Sequence, residues 1–318
     1  MKIALPVAAA LFAMMTGLIA QQPNTLLSWA PKPIEPTKWV APNRPHVKYA
    51  EMLARHKGQQ NWIEPVMDDE HLHGEFISAA AGSKTPRRFH PDTREWWVIT
   101  DGQIKFSIDG QEPFVASKGW LVQVPYRTVY SMETVGNAPS IRLETNLAHA
   151  RTLYPMDVQP PKMPGFEFVP VRVAGPITPD RKTNRFHATF EELAAEAEAT
   201  PRKQATLRFI HDDRAAVNFI YGYAKDLPPV TEADRGHYHV EGGEFWIVLS
   251  GQIRYKIEGI DTFIAQLYDC VYVPKFKFHL ARWYGDGAST RLAMNGYYDI
   301  AHLFDAPATA APSSAPRP

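Results

Sequence analysis

The feature that most constrains this 318-residue chain is an internal repeat. His90 and His239 are 149 positions apart, and so are Glu95 and Glu244. The same separation relates further identical residues, with no gap between 88–130 and 237–279: Trp97 and Trp246, Gly102 and Gly251, Gln103 and Gln252, Ile104 and Ile253, Gly110 and Gly259, Phe114 and Phe263, Pro125 and Pro274. Self-similarity at one fixed spacing indicates two copies of a single structural unit.

Each copy is predicted to be built from short β-strands. Runs such as Trp96–Ile99 and Ile104–Ile108 are rich in β-branched and aromatic residues and are bounded by turn dipeptides such as Asp101-Gly102. Short strands at this spacing predict a sandwich or a barrel. A short amphipathic helix around 47–56 and a stronger helix signal at 190–197 precede the two strand blocks at similar distances.

The order of these signals divides the chain into six segments. Residues 1–20 are predicted to be a signal peptide, because Lys2 precedes an apolar run and small residues lead to Ala20. An uncleaved anchor is the alternative interpretation. The other segments are a proline-rich arm (21–45), the first barrel (46–150), a proline-rich linker (151–186), the second barrel (187–305) and a disordered tail (306–318).

Charge and cysteine content narrow the setting and the partners. Lys+Arg and Asp+Glu are both 34, so we expect no nucleic-acid partner and no membrane insertion after signal cleavage. The single cysteine, Cys270, cannot form an internal disulfide, and we expect a buried, unreactive thiol. An exported chain without disulfides suggests a periplasmic or secreted bacterial protein. The sequence leaves the oligomeric state open.

A metal-binding pattern occurs in the second copy. His237 and His239 are two residues apart, so in an extended strand both imidazoles point to the same face. The Gly242-Gly243 pair permits a tight turn that brings Glu244 back toward them. Imidazole and carboxylate together suit one divalent first-row metal ion, namely Fe, Mn, Ni, Cu or Zn. His279 is the candidate for a fourth ligand.

The segment from His237 to Gly251 resembles the first motif of the cupin superfamily, and Pro274 followed by His279 resembles the second. Because both copies share this frame, the chain is similar to a bicupin. The resemblance implies a mainly β fold of two tandem antiparallel jelly-roll barrels with short flanking helices. It also implies four metal ligands: His237, His239, Glu244 and His279. Three positions depart from the glycine, glycine and asparagine usual in these motifs, which weakens assignment to a particular cupin family: Thr231, Phe276 and Trp283.

The first copy has lost most of this ligand set. The matching positions are Arg88, His90, Glu95 and Tyr130. Arginine has no lone pair to offer a metal, so we expect Arg88 to close the site as a buried ion pair with Glu95. The first barrel is then structural, with a pocket for an anionic ligand as the alternative. His71 and His73 form a second same-face pair outside the repeat frame, and we expect a partly exposed strand or loop pair there.

Strand alternation predicts which aromatic residues line the second barrel. Trp246 shares a face with Glu244, Trp283 shares one with His279, and Tyr255 lies on another alternating strand. Tyr221 and Tyr223, two apart on an earlier strand, are expected to line the barrel as well. A pocket this aromatic would suit a planar or apolar substrate, and ordinary core packing is the alternative for each residue. The catalytic residues stay unassigned.

These features predict an exported, metal-dependent bicupin that acts on a small organic molecule. Three neutral imidazoles and one carboxylate would leave a divalent metal with one net positive charge and open positions for a ligand. Such a centre suits an oxidoreductase of dioxygenase type. The same ligands serve a metal-dependent decarboxylase, isomerase, lyase or hydrolase, and a non-enzymatic small-molecule-binding cupin is the alternative from a different class.

Overall fold

The computed structural model describes residues 27–174, 184–296 and 300–306. The predicted signal peptide, nearly all of the predicted tail and part of the predicted linker lie outside these ranges. One compact unit, Lys32–Asp305, contains every described helix and strand. Across the described ranges, we find no helix that is both long and apolar enough to cross a membrane.

The elements follow the predicted pattern of many short strands and few helices. The first part of the chain contains β1 (His46–Val47), α1 (Tyr49–Arg55), β2 (Trp62–Asp68), β3 (Leu72–Ala79), β4 (Glu95–Asp101), β5 (Gln103–Ile108), β6 (Phe114–Ser117), β7 (Leu121–Val124), β8 (Tyr130–Val135) and β9 (Ser140–Leu147). The second part contains β10 (His187–Ala188), α2 (Phe190–Glu198), β11 (Ala205–His211), β12 (Ala216–Tyr223), a 3-10 turn (Ala224–Asp226), β13 (His237–Tyr238), β14 (Glu244–Ser250), β15 (Gln252–Ile257), β16 (Phe263–Ala265), β17 (Cys270–Val273), β18 (His279–Tyr284), β19 (Ala288–Asn295) and β20 (Leu303–Phe304).

The strands form two barrels, each made of a large and a small antiparallel sheet. The first barrel has the order β10-β7-β4-β9-β3-β2 in one sheet and β6-β5-β8 in the other. The second has β1-β17-β14-β19-β12-β11 facing β16-β15-β18-β13-β20. Repeated residues therefore occupy equivalent strands, and the predicted fold of two tandem jelly-roll barrels is confirmed.

One pair of strands is exchanged between the barrels. β1 precedes the first barrel in sequence but pairs with β17 of the second, and β10 precedes the second barrel but pairs with β7 of the first. The first residue of each adjoining helix also contacts the other barrel. The Tyr49 backbone N–H donates to the Asp269 carboxylate of the second barrel, and the Phe190 backbone N–H donates to the Gly119 carbonyl of the first. The boundaries predicted at 46–150 and 187–305 divide the sequence, but each of these two segments contributes one strand to the barrel of the other.

Three hydrophobic cores follow from the alternation of side chains along the strands. Trp97 lies in the core of the first barrel, and Trp246 lies in that of the second. Their neighbours Trp96 and Phe245 point the opposite way and join a third core between the two large sheets. There the indole of Trp96 donates to the sulfur of Met294 across 3.3 Å. The large sheets are thus buried on both faces, which explains their nearly continuous apolar sequences.

Both predicted helices are present and cover the third core. Helix α2 begins with a capping box, in which the Thr189 hydroxyl accepts from the Glu192 backbone N–H and the Glu192 carboxylate accepts from that of Thr189. Its apolar face buries Leu193 and Ala197. Helix α1 buries Met52 against the same core. Cys270 is buried there as well, as expected, and burial raises the pKa of its thiol.

Candidate metal centre

The structure gathers the four predicted ligands of the second barrel into one cluster. His237 lies on β13 directly opposite His279, the first residue of β18. The chain then turns at Gly242-Gly243 and returns Glu244, the first residue of β14, to His239. One ligand atom from each of the four side chains lies within 4.8 Å of the others.

The distances within the cluster fit a single metal ion. The Glu244 Oε2 atom lies 3.1 Å from His239 Nε2, 3.2 Å from His279 Nε2 and 4.0 Å from His237 Nε2. Nitrogen and oxygen ligands bind Zn²⁺ at about 2.0–2.2 Å, so ligand atoms around one ion are roughly 3–4 Å apart. The cluster needs only small side-chain adjustments to reach that arrangement.

Backbone carbonyl groups orient two of the rings. His239 Nδ1 lies 2.8 Å from the Ala301 carbonyl oxygen, and His279 Nδ1 lies 2.9 Å from that of Lys277. An Nδ1–H that donates to a carbonyl leaves the Nε2 lone pair free for a metal. The buried Nε2 atom of His237 has no hydrogen-bond partner among the described residues. Buried polar atoms normally have a partner, and a metal ion bound among the four ligand atoms would be the partner of this nitrogen.

The charge states also suit a divalent cation. Burial, followed by the effect of His279, lowers the pKa of His237 to about 3, so this ring is neutral. Burial pushes the pKa of Glu244 upward, but His239 and His279 outweigh it and the pKa lies well below its usual range. For His239, burial lowers the pKa, but the hydrogen bond and charge of Glu244 outweigh burial, so the pKa is raised. A metal ion would therefore compete with a proton for His239.

One residue at this site was missed by the sequence reasoning. His302 lies at the exposed side of the cluster, with its ring centroid 4.5 Å from that of His237 and 4.8 Å from that of His239. It sits beside the short strand β20, which pairs with β13. His302 lies beyond the ungapped repeat, so neither motif pointed to it. The pairing of β20 with β13 and the contact of the Ala301 carbonyl with His239 bring it to the site.

Three of the five predicted pocket residues face the interior of the second barrel. Trp246 and Tyr255 are buried in its core, and Trp283 packs against that core. The Trp246 ring lies 5.4 Å from the His279 ring and 5.4 Å from the Tyr255 ring. The Tyr255 hydroxyl and the Trp283 indole N–H are buried without a hydrogen-bond partner in the described part of the chain. These aromatic side chains thus offer unused polar atoms as well as apolar surface.

The other two predicted pocket residues, Tyr221 and Tyr223, do not line the second barrel. Both pack in the core between the large sheets, on the face of β12 that points away from the cluster. Both hydroxyls donate to the Glu198 carboxylate on α2. On β12 the side chain that packs against the interior of the second barrel is Ile220. The expectation that the two tyrosines line the barrel is wrong because the strand has the opposite phase.

The equivalent site of the first barrel is closed by ion pairs. Glu95 contacts His90 Nε2 at 3.0 Å and Arg88 Nη2 at 3.5 Å, and it accepts a hydrogen bond from the Tyr130 hydroxyl. The predicted pairing of Arg88 with Glu95 is thus present. Within the ranges that the structure describes, the second-barrel cluster is the one group of three or more His, Cys, Asp or Glu side chains arranged for a metal.

The remaining histidine pair is held by other contacts. His71 Nε2 lies 3.0 Å from the Glu241 carbonyl oxygen. His73 lies 3.2 Å from Asp68 and 3.5 Å from Glu75. The hydrogen bond to Glu75 outweighs partial burial and raises the pKa of His73 to about 9. Both side chains are partly exposed, as predicted, and neither belongs to the metal-ligand cluster.

Comparison with known proteins supports the fold. No protein-family model matches the chain, and no curated protein matches it. The structure is similar to a cupin 2 conserved barrel domain protein from Leptotrichia buccalis, with a TM-score of 0.52 and 10% identity over 82% of this chain and 96% of that one. It is similar to salicylate 1,2-dioxygenase from Pseudaminobacter salicylatoxidans, with a TM-score of 0.58 and 13% identity over 82% of this chain and 86% of that one.

A structure of salicylate 1,2-dioxygenase in adducts with gentisate is also similar, with a TM-score of 0.53 and 11% identity over 78% of this chain and 80% of that one. At these identities the likeness concerns the fold alone. Together with the repeat, the barrel topology and the ligand cluster, it leads to one conclusion. The protein has the bicupin fold, with a complete group of three histidines and one glutamate in its second barrel.

Proposed function

We propose that the protein is a metal-dependent cupin enzyme, an oxidoreductase of dioxygenase type that acts on a small aromatic molecule. The observation that carries the proposal is the contrast between the two barrels. The same fold holds Arg88, His90, Glu95 and Tyr130 in one barrel and a complete ligand set in the other. Barrel architecture alone therefore does not require three histidines and a carboxylate at this place.

The chain's own residues would hold the ion and the substrate. His237, His239, His279 and Glu244 would bind one divalent metal, which supplies Lewis-acid chemistry and, if it is redox-active, chemistry with dioxygen. The His237 side chain is 19% exposed, whereas those of His239 and His279 are 1% and 2% exposed. A substrate would therefore approach past His237 and His302. Trp246 and Tyr255 support the barrel wall from within, and the half-buried Trp283 supplies flat apolar surface for a planar ring.

The fold neighbours indicate which compounds to test first. One of them is a salicylate dioxygenase, and a structure of it contains gentisate. Hydroxylated aromatic acids are therefore the first substrates to screen, with oxygen uptake recorded. Release of carbon dioxide without oxygen uptake would instead indicate a decarboxylase. We further propose that the mature protein acts in the periplasm or outside the cell, on the basis of residues 1–20.

A metal analysis tests the proposal directly. Purified protein, grown with Fe, Mn, Ni, Cu and Zn supplied, should contain about one equivalent of a divalent metal. His237→Ala and His279→Ala should each lose most of it. His90→Ala, which alters the equivalent of His239 in the first barrel, should retain it and serves as the matched control. Wild-type protein without metal, or equal loss in the His90→Ala variant, would contradict the proposal.

A further inference from the structure

An unpaired arginine faces the interior of the second barrel. Arg291 on β19 lies directly opposite Val248 on β14 and Ile220 on β12. Residues opposite each other on antiparallel strands share a face, and Val248 and Ile220 both pack in the barrel interior. The Arg291 side chain therefore points into the barrel that holds the metal-ligand cluster.

The charge of Arg291 is one that no carboxylate of the described residues pairs at ion-pair distance. Its buried Nε atom has no hydrogen-bond partner in the same part of the chain. Burial lowers the pKa of its guanidinium, although Tyr255 and Glu244 act in the opposite direction. A buried charge is costly unless it is paired and hydrogen-bonded. Arg291 is nevertheless half-buried rather than fully covered, so part of the residue borders accessible space.

In the first barrel, the equivalent arginine is paired with a carboxylate. Arg142 occupies the repeat position of Arg291, and its Nε atom donates to Glu144 at 3.0 Å. Glu144 also accepts from the Trp97 indole at 2.9 Å and contacts Arg88 at 3.3 Å. Burial raises the pKa of Glu144, but Arg142 and Arg88 outweigh it and the pKa lies well below its usual range.

The second barrel keeps the arginine and the tryptophan but has lost the carboxylate. Trp246 is the repeat equivalent of Trp97, and Ala293, directly opposite Trp246, is the equivalent of Glu144. The alanine at this position removes the negative charge that compensates Arg142 in the first barrel, and Ala293 itself is buried in the core. Ala293 lies one step from Arg291 along the inward face of β19, toward the end of β14 that begins at Glu244.

We propose that Arg291 anchors an anionic group of a ligand whose other end lies at the metal-ligand cluster. The inference deepens the proposed function and rests on it, since it names organic anions, and carboxylates in particular, as the substrate class. The ligand carboxylate would take the place that the Glu144 side chain fills in the first barrel. Carboxylates match the guanidinium fork geometrically, and such charge-assisted hydrogen bonds are stronger than neutral ones.

The spacing suits a small aromatic acid. Val248, opposite Arg291, follows Glu244 by four residues on β14, which corresponds to roughly 13 Å along the strand. The long arginine side chain spans part of this length. The inward-facing side chains of Ile220, Ala281 and Trp283 are only half-buried, so accessible space in the barrel borders them, and a single benzene ring with its carboxylate would enter there.

Benzoate and its neutral isostere benzamide provide the test. Their binding to wild-type protein is measured by isothermal titration calorimetry, once metal-free and once loaded with Zn²⁺. The variants are Arg291→Gln, Ala293→Glu and Ala293→Gln, with circular dichroism as the check of folding. Ala293→Glu rebuilds the ion pair of the first barrel inside the second. Ala293→Gln adds the same volume without the charge and is the matched control.

We expect wild-type protein to bind benzoate at least about tenfold more tightly than benzamide. Arg291→Gln should abolish this preference, and Ala293→Glu should weaken benzoate binding about tenfold more than Ala293→Gln. The inference is overturned if wild-type protein shows no preference for benzoate, if Arg291→Gln keeps the preference, or if the two Ala293 variants behave alike.

The same measurements separate this inference from the proposed function. A protein that binds metal but shows no preference for benzoate retains the proposed function and loses the anion site. A protein that binds no metal but still prefers benzoate through Arg291 retains the anion site and loses the proposed function. The titration of metal-free protein with benzoate and benzamide therefore tests the role of Arg291 independently of metal binding.

Discussion

At the scale of single residues, the two barrels differ in how their buried charges are compensated. In the first barrel Arg88, Arg142, Glu95 and Glu144 neutralise one another. In the second barrel three imidazoles surround one carboxylate, and an arginine lies apart from it. The first arrangement is complete within the chain. The second would become complete with the cation and the anion that we propose.

Removing the carboxylate of Glu144 should destabilise the protein. Glu144→Gln would leave the buried Arg142 without its counter-charge and Arg88 with Glu95 alone, so we expect the free energy of unfolding at pH 7 to fall by about 3 kcal/mol. Urea denaturation measures it. The matched control is Glu133→Gln, which removes the exposed pair with Lys84 and should cost less than about 1 kcal/mol. Equal effects of the two substitutions would contradict the assignment.

The same carboxylate should make stability depend on pH. The folded pKa of Glu144 is lowered from its ordinary value of 4.5. The unfolded chain then binds the proton more readily, so this contribution is fully present above that value and is lost as the pH falls toward the folded pKa. Wild-type stability should decline below about pH 4.5 more steeply than that of Glu144→Gln. Parallel curves from urea titrations between pH 7 and pH 3 would refute this.

Removing the Tyr255 hydroxyl should leave stability unchanged or slightly higher. The group is buried without a hydrogen-bond partner in the described structure, and an unsatisfied buried hydroxyl costs about 1–3 kcal/mol. Tyr255→Phe removes that cost and keeps the ring. Thermal unfolding of metal-free protein should show a midpoint equal to or above that of the wild type. A clear decrease would show that the hydroxyl has a stabilising partner.

At the scale of elements, the sequence predicted which strands exist better than which way their side chains point. The phase of β14 and β18 followed from the metal ligands, because Glu244 and His279 fix the inward face. Strand β12 contains no such reference residue. Both of its faces are buried, so Phe219 and Tyr221 on one face look as apolar as Ile220 on the other. Alternation alone cannot orient a strand with two buried faces.

The capping box of α2 offers a test at this scale. Thr189→Ala removes the hydroxyl that accepts from the Glu192 backbone N–H, so we expect a loss of about 1 kcal/mol in the free energy of unfolding. Chemical denaturation gives the value. Thr206→Ala on β11, at an exposed threonine, is the control and should change stability by no more than about 0.5 kcal/mol. If the control matches Thr189→Ala, the cap contributes nothing.

At the scale of the whole molecule, the two barrels share one interior. The core between the large sheets contains Met52, Trp96, Phe245 and Met294, drawn from both copies of the repeat. The repeat predicted two similar units, but the repeated motifs did not predict which residues form the contact between them. It depends on the residues that alternate with the repeated ones, such as Trp96 beside Trp97, and these need not match between the copies.

A shared interior predicts a single cooperative unfolding transition. Tryptophan fluorescence and far-ultraviolet circular dichroism should give coincident denaturation curves for metal-free protein, because the face of each large sheet that packs on the other barrel is uncovered once that barrel unfolds. Segments 46–150 and 187–305, produced separately, should lack cooperative unfolding. Two resolved transitions, or a folded isolated segment, would show that the barrels are independent.

The exchanged strands β1 and β10 have a consequence for synthesis on the ribosome. The sheet edge at β7 receives β10 only after residue 188 has been made, and β1 finds its partner β17 only after residue 273. When the first barrel leaves the exit tunnel, one of its sheets therefore still has an open edge, and its leading strand has no place to pair. Open edges invite pairing with other chains. The first half of the nascent chain thus depends on the second half to close that edge.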